Sequence, residues 1–391
     1  MSKNCTVQDV FKRFYPGYEK THELSAVQRK AAYHIMNCKT GTFGVNVSVC
    51  EDCGCISVHY NSCRDRCCPM CQELPKEKWV DARREDILDA PYFHVVFTLP
   101  EELNPVIYSN QKLLYNALYH ASSDTLSELA TDNKYLGADI GYICILHTWG
   151  SAMNFHPHIH AIVLGGGLDA KKHWKDNGGD FFLPVKVISK VFRSKYLAEL
   201  KQLWTGGKLE FHGTAELYKN HYAFKELLDT CYAKEWIPYC KKPFHGAESV
   251  IRYLGKYTHR IAISNYRIKG ITDSTVTFTV KDYKNHGQWK ELTLSGEEFI
   301  RRFLMHVPPK RFVRIRHYGL LSSRNKNKKI TLCRNLLGCK KYISRLKDLD
   351  APAIIKLLYG RDVCKCPSCG GDIIPLPSGR YCTRPEPHLL C

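Results

Sequence analysis

Three histidines stand at alternate positions of the segment FHPHIHAIVLGGGL, as His156, His158 and His160. Successive side chains of a β-strand point to opposite faces, so a strand over this segment presents all three imidazoles on one face. The preceding run ICILHTW is joined to it by GSAMN, which suits a hairpin and brings His147 to the same face. A single strand histidine is more often an ordinary core or surface residue. Several imidazoles on one face gain little from packing unless they hold a ligand, so His147, His158 and His160 predict a metal site.

The second candidate for chemistry is a pair of tyrosines in RYLGKYTHR. On a helix, Tyr253 and Tyr257 lie one turn apart and share a face, while Lys256 and Arg260 form a basic stripe. Such a pair alone is typical of the edge of a core. Beside a metal site, a phenol can attack phosphorus when the metal polarises the phosphate oxygens and nearby cations lower the phenol's pKa. Tyr253 and Tyr257 are therefore candidate nucleophiles, and Lys256 and Arg260 are candidates to offset phosphate charge.

The nineteen cysteines of the chain are concentrated near its two ends. The N-terminal segment lacks the apolar region of a secretion signal, so the cysteines favour metal sites over a disulfide framework. Two Cys-x-x-Cys knuckles, CEDC and CPMC, are separated by a loop of zinc-ribbon length. A tetrahedral zinc site would supply folding energy to so small a unit. We predict one zinc ion bound by Cys50, Cys53, Cys68 and Cys71.

Further ligands lie beside these knuckles and near the C-terminal end. For a second zinc, which the sequence cannot assign, the preferred set is His34, Cys38, Cys63 and Cys67. The stretch CKCPSCGG places Cys366 and Cys369 on a third knuckle, with Cys382 or Cys364 as candidate partners. Whether this third knuckle binds zinc or carries no metal stays open.

The formal net charge is +19, and basic residues are concentrated in one stretch. From Phe299 to Lys347 the chain has fifteen lysines and arginines, no aspartate or glutamate, and aromatic residues in between. A short charge run is usually a solvated surface, but a stretch this long and one-sided favours contact with nucleic-acid phosphates. The predicted DNA contacts, two of which lie beside a zinc knuckle, are Arg64, Arg66, Arg260, Lys310, Arg311, Arg314 and Arg316.

The elements that must position these residues alternate between strands and helices. Strand-like runs are FHVVFTLP, IGYICILHTW, FHPHIHAIVL and the hairpin formed by TVTFTVKDY and WKELTLSG. This order predicts an α+β fold with a central antiparallel sheet. We expect a zinc-binding region at 1–85, a catalytic region at 86–265 with a helical insertion at about 169–245, and a basic region with a cysteine knuckle at 266–391. Because no run of about 18 apolar residues occurs, we expect a soluble intracellular protein.

These motifs resemble a known family. FHPHIHAIVLGGGL resembles the HUH motif of the HUH endonuclease superfamily. YLGKYTHRIAISN resembles the two-tyrosine motif of one branch, the rolling-circle transposases of the insertion-sequence ninety-one family. CKTGTFG, CEDCG and YNSCRDRCCPMCQ are similar to the N-terminal zinc-binding domain of that family, and FHVVFTLP to its first nuclease strand. LSGEEFIRRFLMHVPPKRFVRIRHYGLLSSRNK resembles its basic segment, so the resemblance extends over nearly the whole chain.

The resemblance implies a DNA transposase that cleaves and rejoins single-stranded DNA through a 5′-phosphotyrosine during rolling-circle transposition. It assigns His158 and His160 as HUH metal ligands, and His147 is similar to the third histidine of related relaxases. It assigns Tyr253 and Tyr257 as the nucleophile pair. The implied cofactors are Mg²⁺ or Mn²⁺ at the active site and structural Zn²⁺, although three imidazoles by themselves favour manganese or zinc-like ions. The implied partners are single-stranded DNA and hairpin-bearing element ends. The implied location is the cytoplasm of a prokaryote, in association with the nucleoid.

Two alternatives stay open at this point. A rolling-circle replication initiator or relaxase of the same superfamily shares the chemistry but usually lacks so cysteine-rich an N-terminal ribbon. A non-catalytic zinc-ribbon DNA-binding regulator, in which the histidines and tyrosines are structural, belongs to another class. Terminal hairpins and a defined insertion target around the gene would indicate a transposase, and a covalent protein–DNA adduct would exclude the regulator.

Overall fold

A computed structural model of the chain describes residues 5–176, 183–236, 238–244, 249–251, 253, 255, 262–282 and 286–376. The chain divides into two compact units, each assembled from separated segments. We call Met1–Asp81, Ile263–Val307 and Ser344–Cys391 the terminal unit, and Ala82–Ala262 with Pro308–Ile343 the sheet unit. The three consecutive regions that we expected are therefore not the compact units, because the stretch 266–391 is divided between both.

Helices occur in both units, and several begin with a side-chain cap. The hydroxyl of Ser25 accepts the backbone N–H of Gln28, and that of Ser295 accepts the backbone N–H of Glu298. The helices, in chain order, are α1 (Val7–Thr21), α2 (Ala26–Asn37), α3 (Glu73–Arg84), α4 (Asn104–Ser109), α5 (Gln111–Thr131), α6 (Val185–Thr205), α7 (His221–Ala233), α8 (Gly296–Met305), α9 (Lys326–Leu337) and α10 (Ala351–Tyr359). Residues 249–251, 253 and 255 are also helical and are called the tyrosine helix.

The strands form antiparallel sheets in both units. They are β1 (Val45–Cys50), β2 (Ile56–Tyr60), β3 (Tyr92–Thr98), β4 (Asp139–Trp149), β5 (Phe155–Leu168), β6 (Trp174–Asp176), β7 (Tyr239–Phe244), β8 (Ile268–Ile271), β9 (Thr275–Asp282), β10 (Gln288–Ser295), β11 (Ile315–Gly319) and β12 (Ile373–Pro375). The sheet unit holds the order β11-β4-β5-β3-β7, with β6 beside β5. The terminal unit holds the sheets β12-β1-β2 and β10-β9-β8. The predicted α+β fold with antiparallel sheets is confirmed.

The hairpin of β4 and β5 lies in the middle of the six-stranded sheet. The strands are joined by residues 150–154, as the sequence predicted, and His147 is directly opposite His158. On its other side β5 pairs with β3, where Val96 is opposite His160. Strands β3, β4 and β5 therefore hold His147, His158 and His160 in fixed positions.

The two faces of this sheet differ because side chains alternate along each strand. One face is apolar and packs into the core that α5 and α6 help to build. Its members on the three central strands are Phe93, Val95, Phe97, Tyr142, Cys144, Leu146, Ile159, Ala161 and Val163. The alternate positions of the same strands carry His94, His147, His158 and His160 on the opposite face.

The expected helical insertion at about 169–245 is helical only in part. α6 and α7 lie within it, and Phe192 and Tyr196 on α6 are fully buried. Tyr239–Phe244, however, forms strand β7, which pairs antiparallel with β3. This short segment adopts a strand because the edge of the sheet offers backbone partners, and that contact is not visible in the local pattern.

In the terminal unit, the hairpin expected from TVTFTVKDY and WKELTLSG is formed by β9 and β10. Contacts between aromatic side chains connect α8 to α1 and to β9. The ring of Phe303 on α8 lies edge-on to Phe11 of α1 at 5.0 Å, and Phe299 lies edge-on to Phe278 of β9 at 5.6 Å. The β9–β10 hairpin and α8 therefore pack with the N-terminal helices instead of forming a separate domain with the rest of the basic stretch.

Candidate active site

Three imidazoles converge on the polar face of the six-stranded sheet. Nitrogen atoms of His147, His158 and His160 all lie within 4.8 Å of one another. The three side chains are buried, with exposed fractions of 4%, 9% and 9%. The hairpin register predicted from the sequence thus brings together the three predicted ligands, which we call the histidine cluster.

The protonation of the histidine cluster fits a metal ion. The Nδ1 atom of His158 lies 2.6 Å from the backbone carbonyl oxygen of His156, and a carbonyl only accepts, so Nδ1 carries the proton. The Nε2 atom of His158 therefore has a lone pair, and it lies 3.1 Å from Nε2 of His160. Burial lowers the pKa of His158 to about 3, and burial with the neighbouring histidines lowers the pKa of His160 well below its usual range. Neutral imidazoles whose ring nitrogens converge are suitable ligands for a divalent cation.

The phenol of Tyr253 lies against the same cluster. Its oxygen is 3.0 Å from Nδ1 of His160 and 2.6 Å from Nε2 of His94. His94 on β3 is itself 2.9 Å from Nδ1 of His160, and its side chain is only 6% exposed. One nitrogen of His160 thus faces the histidine cluster, and the other faces the predicted nucleophile.

His94 was missed by our reasoning from the sequence. The signal was available, because His94 is the one polar residue in the apolar strand run PYFHVVFT apart from the terminal threonine and the tyrosine hydroxyl. Its position alternates with the buried Phe93 and Val95, which places it on the polar face. Only the pairing of β3 with β5, however, brings it next to His160.

The thiols of the terminal unit form two clusters that differ from the predicted sets. Sulfur atoms of Cys38, Cys63, Cys68 and Cys71, which we call thiol cluster A, lie within 4.8 Å of one another. Thiol cluster B is formed by Cys50, Cys53, Cys366 and Cys369. The two N-terminal knuckles, which we expected in one site, are therefore divided between the clusters. The physical reason is that β1 and β12 pair and bring the C-terminal knuckle to Cys50.

Of the preferred second set, His34, Cys38, Cys63 and Cys67, only Cys38 and Cys63 are brought together, in thiol cluster A. Nδ1 of His34 lies 3.1 Å from a carboxylate oxygen of Asp65 instead of facing the thiols. Cys67 is buried outside both clusters, and its adjacent residue, Cys68, takes the position in cluster A. The donor sets of both clusters, four thiols each, fit tetrahedral zinc.

Four predicted site residues lie outside the described part of the chain. They are Lys256, Tyr257, Arg260 and Cys382.

Comparison with known proteins adds independent information. Residues 10–99 match the family described as "Transposase zinc-binding domain", and residues 141–329 match the family described as "Putative transposase". The chain is 41% identical over 369 residues to "Putative transposase y4qJ" of Sinorhizobium fredii, covering 93% of this chain and 92% of the relative. It is 28% identical over 307 residues to "Transposase for insertion sequence element IS801" of Pseudomonas savastanoi pv. phaseolicola, covering 77% and 72%. The chain belongs to the transposases of the insertion-sequence ninety-one family.

Membership of this family makes DNA the partner of the transposase and strand breakage and joining its activity. The zinc-binding domain match together with the thiol clusters supports structural zinc in the terminal unit. No solved structure shows a significant match to the transposase. Within the described residues, no helix is both long and apolar enough to cross a lipid bilayer.

The basic residues predicted to contact DNA occupy different environments in the transposase. Arg64, Lys310 and Arg311 are exposed, whereas Arg66, Arg314 and Arg316 are only partly exposed. The guanidinium of Arg316 lies 4.0 Å from the ring centre of Tyr119 and donates a hydrogen bond to the side-chain oxygen of Asn116 at 2.5 Å. The backbone carbonyl of Arg314 accepts the N–H of Leu146 at 2.9 Å. Arg316 therefore stabilises the sheet unit in addition to any contact with DNA.

Proposed function

We propose that the transposase cleaves and rejoins single-stranded DNA through a 5′-phosphotyrosine intermediate and thereby drives rolling-circle transposition. The observation that supports this proposal is the position of Tyr253, whose phenol oxygen is 3.0 Å from the histidine cluster. A phenol beside a candidate divalent-cation site is an arrangement suited to attack on a phosphodiester.

The reaction exchanges one phosphodiester for another. The phenol oxygen of Tyr253 forms a bond to the scissile phosphorus, and the bond from phosphorus to the 3′ oxygen breaks. The phenol loses its proton, and the leaving 3′ oxygen gains one and becomes a hydroxyl that can prime replication. The bond between the tyrosine and the DNA is itself a phosphodiester. A later attack on it by a 3′ hydroxyl therefore rejoins the strand without an external energy source.

The chain's own side chains hold the nucleophile for this step. His94 and His160 both contact the phenol oxygen of Tyr253, so they fix its direction before the DNA binds. When bound by His147, His158 and His160, Mg²⁺ or Mn²⁺ would polarise the oxygens of the scissile phosphate. The sheet unit thus supplies a rigid support for the reaction, since each of these ligands is on a central strand.

The second tyrosine and the basic residues complete the proposal. Tyr257 would carry a second strand, so that a new link can form before the first is resolved. Lys256 and Arg260 would offset the charge of the phosphate near these tyrosines. Exposed Arg64, Lys310 and Arg311 would contact the backbone of single-stranded DNA or of hairpin-bearing element ends.

A covalent-adduct assay tests the proposal. The full-length transposase is incubated with end-labelled single strands from both ends of its element, with Mg²⁺ or Mn²⁺, and separated in denaturant. We expect a labelled band at the mass of protein plus DNA, which disappears on protease digestion. A protein that binds these strands but forms no adduct with either ion would contradict the phosphotyrosine mechanism. An adduct that keeps a 3′-end label and loses a 5′-end label carries the DNA on the 3′ side of the cut, which distinguishes a 5′-phosphotyrosine from the opposite polarity.

A further inference from the structure

Thiol cluster B joins two parts of the chain that are far apart in sequence. Sγ of Cys53 lies 3.7 Å from Sγ of Cys366, which is 313 positions further along the chain. Sγ of Cys50 lies 3.4 Å from Sγ of Cys369. All four thiols belong to the terminal unit. The match to the transposase zinc-binding domain ends at residue 99, so it does not include the two C-terminal thiols.

The spacing of these sulfur atoms suits one tetrahedral ion. Four thiolates bound to zinc at about 2.3 Å lie about 3.8 Å from one another. The separations of 3.4 and 3.7 Å in cluster B are close to that value, as is the 3.8 Å between Cys63 and Cys71 in cluster A. Two Cys-x-x-Cys turns that face each other are also the usual construction of a zinc ribbon.

The backbone holds the two knuckles of cluster B in place. β12 pairs with β1, and Cys50 is opposite Ile373. The backbone N–H of Glu51 donates to the carbonyl of Asp372 at 3.0 Å, beside the knuckle. Gly371 packs so closely here that a Cβ atom would lie 2.2 Å from a carboxylate oxygen of Asp52, so a larger residue would force the Asp52 side chain to move. The C-terminal knuckle is therefore a fitted part of this sheet.

The sheet β12-β1-β2 has little apolar core of its own. Ile56 and Val58 on β2 are 64% and 48% exposed, and Ile374 on β12 is 42% exposed. Such a small, open sheet requires another source of stability, and a metal cross-link between its strands is one that small domains commonly use.

We propose that Cys50, Cys53, Cys366 and Cys369 bind a second structural zinc ion, separate from a zinc at cluster A, and that this ion fastens the C-terminal segment to the N-terminal zinc-binding region. The zinc-binding part of the transposase is then composite: its N-terminal segment supplies one complete site and half of another. This inference does not depend on the proposed 5′-phosphotyrosine chemistry.

Zinc content of the purified full-length protein tests the proposal directly. We expect about two zinc ions per chain in the natural protein and about one in Cys53→Ser and in Cys369→Ser. The double variant Cys53→Ser/Cys369→Ser should still hold about one, because both thiols serve the same ion. Cys364→Ser is the matched control, since Cys364 is exposed beside the knuckle but outside cluster B, and it should keep two.

Three outcomes would overturn the proposal. These are a natural protein with a single zinc ion, a Cys369→Ser variant that retains two, and a double variant that loses one ion more than either single variant. The last result would mean that Cys53 and Cys369 serve different ions.

A second measurement covers the case in which the serine variants fail to fold. In Cys53→His and Cys369→His, an imidazole replaces one thiolate and can still bind the metal. After reconstitution with cobalt, we expect both variants to keep two ions per chain and to show the same shift of one of two tetrahedral absorption bands to shorter wavelength. An unchanged spectrum for Cys369→His would show that the C-terminal knuckle is not a ligand, and the proposal would fail.

Discussion

The Nε2 atom of His94 lies 2.6 Å from the phenol oxygen of Tyr253, and the same nitrogen lies 2.9 Å from Nδ1 of His160. These side chains come from β3, the tyrosine helix and β5, and they meet on the polar face of the sheet. A residue that contacts both the predicted nucleophile and a predicted metal ligand can orient both at once.

We predict that His94→Ala lowers the rate of adduct formation about 10- to 100-fold, because Tyr253 and His160 lose a shared partner. His94→Gln should recover part of the rate, since its side-chain oxygen can accept a hydrogen bond from the phenol. Gel quantification of the adduct over time measures both effects. His120→Ala is the control, because His120 is an exposed histidine on α5 paired with Glu199. If His94→Ala forms the adduct at the same rate as the natural protein, His94 does not orient the nucleophile and serves only in packing.

The tyrosines themselves are tested by removing only their oxygens. We expect Tyr253→Phe/Tyr257→Phe to abolish the adduct while DNA binding and thermal stability stay near those of the natural protein, because the rings remain. Each single variant should retain adduct formation through the other phenol or lose only one of the two strand transfers. An adduct formed by the double variant would mean that another residue is the nucleophile.

Replacement of His158 and His160 by alanine should also abolish the adduct, because the histidine cluster loses two of its three ligands. Added manganese should not restore it. We expect isothermal titration with Mn²⁺ to show loss of one binding event in this variant. Unchanged Mn²⁺ binding would place the active ion elsewhere.

The basic residues separate into two groups with different expected effects. Neutralising the exposed pair Lys310 and Arg311 should reduce the salt dependence of single-stranded DNA binding by about 1.4 in the slope of log K against log salt. Arg316→Gln should instead lower the unfolding temperature, because the guanidinium stacks on Tyr119 and binds Asn116. Fluorescence anisotropy at several salt concentrations and thermal unfolding measure the two effects. If Arg316→Gln changes the slope and not the stability, Arg316 is a DNA contact.

A half-buried histidine makes the sheet unit sensitive to acid. Burial, followed by the nearby charge of Arg83, lowers the pKa of His317 on β11 from 6.5 to about 4. Among the described residues its Nε2 atom has no hydrogen-bond partner. The unfolded chain therefore binds a proton more tightly than the folded one, and stability falls as pH drops from about 6.5 to about 4.

We expect His317→Gln to remove this contribution, which is on the order of 2 kcal/mol at about pH 5. Urea unfolding at pH 7 and at pH 5 measures it as a smaller loss of stability in the variant than in the natural protein. Equal losses in both proteins would show that His317 is not the titrating group.

Much of the candidate site was accessible from the sequence because it is built from local patterns. The period of two along FHPHIHAI and the short connection GSAMN were sufficient to place His147 opposite His158. The turn-by-turn spacing of the tyrosines indicated a helix, and Tyr253 is helical. Alternation and helical repeat depend on the chain's own backbone geometry, so they can be predicted without knowing what the segment packs against.

Partners from distant parts of the chain were decided only by the tertiary structure. The division of the knuckles into clusters A and B depends on the pairing of β1 with β12, and the contact of His94 with His160 depends on the pairing of β3 with β5. Knuckles of the same Cys-x-x-Cys pattern are chemically equivalent, and spacing along the chain does not distinguish which two will share an ion. That choice is made by the backbone hydrogen bonds and packing of the complete fold, which bring together residues as far apart as Cys53 and Cys366.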